Sequence, residues 1–135
     1  MTPTEIVDKM MATDFFSQWL GIERMEDGAG KSVLRVTIRK EMLNGFGIAH
    51  GGITYALADS ALAFASNGYG KQAVSIETGI SHLKPLKEGD IITATVEEEN
   101  LTNRIGVYRI VVENEKKEKV ALFKGTVYRT EKIWE

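Results

Sequence analysis

The sequence predicts an α+β fold in which a curved antiparallel sheet of about six strands wraps around one long helix. Three observations lead there. Residues 51–67, GGITYALADSALAFASN, are apolar or small apart from a few hydroxyl and amide side chains, with one charge at Asp59, and a helix that is apolar on every side is normally buried. The segments around it alternate apolar and polar residues, the period of strands with one wet face. The last three of these follow one another through short polar connections, the pattern of an antiparallel meander.

Thr4 to Met11 places Ile6, Val7, Met10 and Met11 at helical spacing behind a capping residue, so a short leading helix is predicted. Ser17 to Arg24 and Lys31 to Lys40 then read as a hairpin with Glu26 to Gly30 as its turn, clearest where Leu34, Val36 and Ile38 alternate with Arg35, Thr37 and Arg39. A polar, glycine-spaced loop from Leu43 leads into the long helix, which should end near Asn67-Gly68 in a left-handed cap. Strands follow at Ala73 to Leu83, Asp90 to Glu99, Gly106 to Glu113 and Val120 to Thr130, all rich in β-branched residues. No internal repeat or linker interrupts them, and a single domain over 1–135 is expected.

Composition narrows the function. The chain has 135 residues, 43% hydrophobic and 27% charged, with a net charge of -2 and two histidines. That balance gives no general attraction to nucleic acid or to an anionic membrane. With no cysteine, disulfides, thiolate metal sites and cysteine nucleophiles are excluded. The opening MTPTEIVDKMMATDFF lacks the basic start and unbroken apolar core of a signal peptide, and the apolar run at 53–65 is too short to span a bilayer. A cytoplasmic protein is expected.

Asp59 is the residue that asks for an explanation, because Asp is rarely buried without a partner. It is either tied down or used. Upstream lie Asn44, His50, Gly51 and Gly52, where the chain enters the helix. A helix start exposes backbone N–H groups that attract negative charge. One stretch therefore supplies a carboxylate, an imidazole, an amide and a backbone site suited to a developing oxyanion. Blander readings stand beside this one: Asn44 as a turn residue before Gly45, the two glycines as backbone hinges, and His82 as a packing or surface histidine with no second ligand spaced for a metal.

The stretch LNGFGIAHGGITYALADSALAFA resembles the hotdog-fold thioesterases, and among them the PaaI-type subfamily associated with phenylacetate degradation. The resemblance continues through HLKPLKEGDIITATV, RIGVYRIVVEN and KVALFKGTVYR. It implies a central helix wrapped by the sheet, dimers joined edge to edge, often paired into tetramers, and metal-free hydrolysis of acyl-CoA, with coenzyme A as part of the substrate rather than a cofactor. Asp59 matches the family's catalytic carboxylate, acting as general base on water or as nucleophile; both routes fit the motif. Gly51 matches the backbone donor to the thioester carbonyl. Asn44 and His50 match loop positions lining the same pocket, with Gly52 beside them, and Phe46 is a candidate for shaping the acyl pocket. Ser75 matches a hydroxyl that positions water in some relatives, and Lys84 a basic residue able to meet a CoA phosphate. The carboxylate is expected to face the other subunit's loop, so that monomers are inactive. Two other classes share the fold: a hydratase or dehydratase of enoyl or hydroxyacyl thioesters, and a noncatalytic acyl-CoA binder.

Overall fold

Thr2, rather than Thr4, opens the first helix. In the computed structural model, which describes residues 1–135, α1 (Pro3–Met11) starts with a reciprocal cap: Glu5 N–H donates to Thr2 Oγ1 at 3.2 Å and Thr2 N–H to Glu5 Oε1 at 2.8 Å. Pro3 sits at the first helical position, where a missing N–H costs nothing. Ile6 and Val7 are the residues α1 buries.

The strand predicted from Ser17 is instead a second helix, α2 (Phe15–Leu20). Asp14 caps it by accepting from Ser17 N–H at 3.0 Å, and Gly21, at φ 79°, ends it. Ser17 and Leu20, three residues apart, are its buried pair, which is helical rather than strand spacing. The hairpin is therefore shorter than expected: β1 (Glu23–Gly28) and β2 (Lys31–Thr37) pair around Ala29 and Gly30 alone, with Gly30 at φ 72°. After a single 3₁₀ turn at Lys40–Met42 and a loop, the long helix α3 runs from Gly51 to Asn67.

The other strands are β3 (Lys71–His82), β4 (Ile91–Leu101), β5 (Ile105–Glu113) and β6 (Lys119–Ile133). All pairings are antiparallel, in the order β1-β2-β4-β5-β6-β3. The β4-β5-β6 meander is as the sequence predicts. β3 crosses to the far edge, and α3, which precedes it, packs against all six strands on the way. The core is the seam between them, where Leu57, Ala61, Leu62 and Phe64 of the helix meet Leu34, Ile92, Tyr108, Ile110 and Phe123 of the sheet, all at 1% exposure or less. Gly125 of β6 makes the approach feasible, since a Cβ there would lie 2.5 Å from Leu62 Cδ2.

The end of α3 differs from expectation. Gly68 has an ordinary right-handed φ of -62° and Gly70 takes the positive one, 102°. Gly68 serves close packing instead: a Cβ would stand 2.5 Å from the Gly28 carbonyl oxygen. Asn67 is a buried clamp. Its amide donates to the carbonyls of Ala63 and Ala73, and its oxygen accepts from Ala73 N–H at 2.9 Å and Trp134 Nε1 at 2.8 Å, joining α3 to β3 and to the residues after β6. No helix is long and apolar enough to cross a membrane.

Candidate active site

The loop before α3 is held by its own polar groups. Asn44 Oδ1 accepts from Phe46 N–H at 2.9 Å and Ile48 N–H at 3.4 Å, and Asn44 N–H donates to the Ile48 carbonyl at 2.8 Å. The turn reading of Asn44 is thus correct for its oxygen, while its Nδ2 makes no hydrogen bond in the chain. His50 caps α3 through Nδ1, which accepts from Gly52 N–H at 2.9 Å. That bond leaves the proton of the neutral ring on Nε2. Gly52 allows the contact, as a Cβ there would sit 3.0 Å from Nδ1. The Gly51 N–H, at the positive end of the helix, has no acceptor within the chain.

Asn44, Gly51, Thr54, His82 and Lys84 line one cleft of about 340 Å³. His82 was not among the site residues the sequence pointed to. The end of β3 carries it against the start of α3, where a Cβ on Gly51 would meet Nε2 at 3.1 Å and Nδ1 lies 3.3 Å from Thr54 Oγ1. Strand periodicity gives no sign of such a tertiary meeting. Lys84, at the rim, is half-exposed and paired with Glu118. Phe46 is 89% exposed and lines neither this cleft nor the next.

Asp59 lies elsewhere, on a second cleft of about 270 Å³ lined also by Leu62, Val74, Ser75 and Val127. Asp59 and Ser75, to which the family resemblance gives parts in the same chemistry, line this one cleft. The carboxylate is partly buried and has neither a hydrogen-bond donor nor a cation beside it in the chain. Burial pushes its carboxyl above the usual range, and the negative charge of Asp14 pushes the same way. Asp14 is fixed nearby by a chain of polar contacts: its Oδ2 accepts from Ser17 Oγ at 2.6 Å, and Ser17 Oγ lies 2.8 Å from Ser60 Oγ on α3. The α2 cap therefore also tunes the neighbouring carboxylate, a link that depends on recognising α2 as a helix.

Within one protomer, Asp59 and Gly51 are not brought together. They stand eight positions apart along α3, about 12 Å at 1.5 Å per residue. A thioester carbonyl held by the Gly51 N–H would be out of reach of Asp59 of the same chain. The Asp59 cleft opens beside the sheet edge, where β3 pairs only with β6 and exposes Val74 at 57% and Ile76 at 59%. An unpaired edge carrying apolar side chains is a surface suited to another strand.

The pattern of the thioesterase superfamily matches residues 46–121, from the site loop to the start of the last strand. The chain is 37% identical over 120 residues to the acyl-coenzyme A thioesterase PaaI of Escherichia coli K12, covering 89% of this chain and 86% of that one. It superposes on the structure of the E. coli PaaI protein from the phenylacetic acid degradation operon with a TM-score of 0.94 at 34% identity, covering 97% and 95% of the two chains. Streptococcus mutans smu.793 bound to acetyl CoA gives a TM-score of 0.80 at 26% identity, over 84% and 91%. In sequence pattern, in fold and in the loop-helix motif that carries its polar residues, the chain belongs to the hotdog-fold thioesterase superfamily and is of PaaI type.

Proposed function

We propose that the protein hydrolyses acyl-CoA thioesters in a site shared by two copies of the chain. Water attacks the thioester carbonyl, a C–O bond forms, the C–S bond breaks, and free acid and CoA leave. Asp59 of one protomer takes the proton from that water and returns it to the departing thiolate, or attacks the carbonyl itself, expelling the thiolate to form an anhydride that water then opens, while the Gly51 N–H of the other receives the developing oxyanion. The observation that carries this reading is the separation of an unpaired, partly buried carboxylate from an unused helix N-terminal donor by about 12 Å on one helix. Reacting groups must come within about 3–3.5 Å of one carbonyl. A two-fold pairing through the exposed β3 edge supplies the missing half.

The remaining loop residues have definable parts. His50 Nε2–H and Asn44 Nδ2 are donors left over after the loop and the helix cap are satisfied, and they are free to orient the thioester or to meet the departing thiolate. Ser75 is within reach of water held by Asp59, and Lys84 can attract the phosphates of CoA. An acyl group of phenylacetyl type is supported by the similarity to PaaI, whose structure is described as coming from the phenylacetic acid degradation operon; a medium-length acyl group and a dimer of dimers in the cytoplasm complete the proposal.

The test is release of CoA thiol from aryl, short, medium and long acyl-CoA, with wild type and Asp59→Asn in parallel. Turnover that is lost in the variant is expected, and it names the acyl group. Equal turnover by both proteins would remove Asp59 from the chemistry.

A further inference from the structure

His82 and Thr54 form a directional relay that ends in the cleft at the start of α3. Thr54 Oγ1 lies 3.1 Å from the Gly51 carbonyl, to which only its hydroxyl can donate. A hydroxyl has one proton. With that proton directed at the Gly51 carbonyl, Thr54 Oγ1 meets His82 Nδ1, 3.3 Å away, as an acceptor. This arrangement takes the neutral His82 ring with its proton on Nδ1 and a lone pair on Nε2. Nε2 is the ring atom nearest Gly51, in the cleft that Asn44 and Lys84 also line. His50, at the same helix start, has the opposite arrangement, since its Nδ1 accepts and its Nε2 donates. The cleft thus presents a donor from Gly51 and one acceptor from His82, while His50 caps the same helix start without lining the cleft.

An acceptor next to an oxyanion site does nothing for the oxyanion, so it suits a donor on the substrate. In an acyl-CoA the nearest donor to the thioester is the amide N–H of the cysteamine unit, two carbons beyond the sulfur. We infer that His82 Nε2 accepts a hydrogen bond from this amide N–H and fixes the thiol arm while Gly51 holds the carbonyl. His82 is then a positioning residue. The inference rests on the reading of Gly51 as the carbonyl donor.

The amide can be removed from the substrate, which makes the test specific. One acyl group is carried on CoA, on N-acetylcysteamine, and on pentanethiol, which matches N-acetylcysteamine in length but has no N–H. His82→Phe should lower kcat/KM about tenfold on the first two and leave the S-pentyl thioester within about twofold. His82→Gln, which can place an oxygen where Nε2 was, should keep the wild-type pattern. His82→Asn reaches only the Nδ1 position and should behave like His82→Phe, so the comparison survives a Phe variant that fails to fold. Equal losses on all three thioesters, or no loss on acyl-CoA, would overturn the assignment. A wild type without turnover on any of them would instead overturn the hydrolase reading on which it rests.

Discussion

Asp59 carries a stability cost that follows from its raised carboxyl pKa. Its folded value lies above the ordinary 3.8, through burial first and Asp14 second. Stability contributed by such a group is fully present below the unfolded value and is lost as the pH rises through the folded one. At neutral pH the ionised carboxylate therefore destabilises the native protein. Asp59→Asn should melt at a higher temperature than wild type at pH 7, with the gap closing toward pH 4, and should lose turnover by about 10²-fold or more. A variant that is less stable at pH 7 would mean that the carboxylate is structural. Asp14→Asn removes the nearby negative charge, so the acid limb of the kcat/KM profile should move to lower pH; an unmoved limb would separate the titrating group from Asp59. Asp59 stood out in the sequence because a lone charge in an apolar helix has few explanations. The influence of Asp14 was not, because it arises where two helices meet.

The long helix was legible because it is apolar on every side, and the meander because its strands alternate apolar and polar residues and bury the apolar set. α2 was not. Phe15, Phe16 and Trp19 are exposed at 71, 56 and 48%, so apolar residues do not mark its inner face, and Ser17 does. Its punctuation was nevertheless present, with Asp14 before it and Gly21 after it. Packing of α3 on the sheet gives a direct prediction for Gly125. Gly125→Val drives a side chain into Leu62 and should cost about 1–3 kcal/mol, read as a lower denaturation midpoint. A midpoint equal to that of wild type would mean that the helix and sheet have slack the contacts do not show. His50→Ala removes the α3 cap and should cost about 1 kcal/mol, together with a smaller activity loss than Asp59→Asn. Full activity in that variant would return His50 to a purely structural role.

At the scale of the whole molecule, the decisive feature is that Gly51 and Asp59 of one chain line different clefts, which the proposed reaction makes the two halves of one site. The family motif made both halves readable, since Asn44, His50, Gly51 and Asp59 stand at fixed offsets around one helix start. Their separation could be read only from the built helix, where eight residues become a distance. The Gly51 donor can be deleted despite being backbone. Proline is accepted at the first position of a helix, and His50, at φ -58° and ψ 138°, already has the extended conformation that a following proline requires. The His82 ring would have to yield by a few tenths of an ångström.

The most direct measurement is therefore thioesterase activity of mixed dimers formed by co-expressing Asp59→Asn with Gly51→Pro, with each variant inactive alone. In a mixed dimer with sites shared across the two-fold axis, one site keeps an intact Asp59 facing an intact Gly51 and the other loses both. Random pairing should restore about a quarter of wild-type activity. Mixed dimers that form and stay inactive would contradict the shared site and return the chemistry to residues within a single chain.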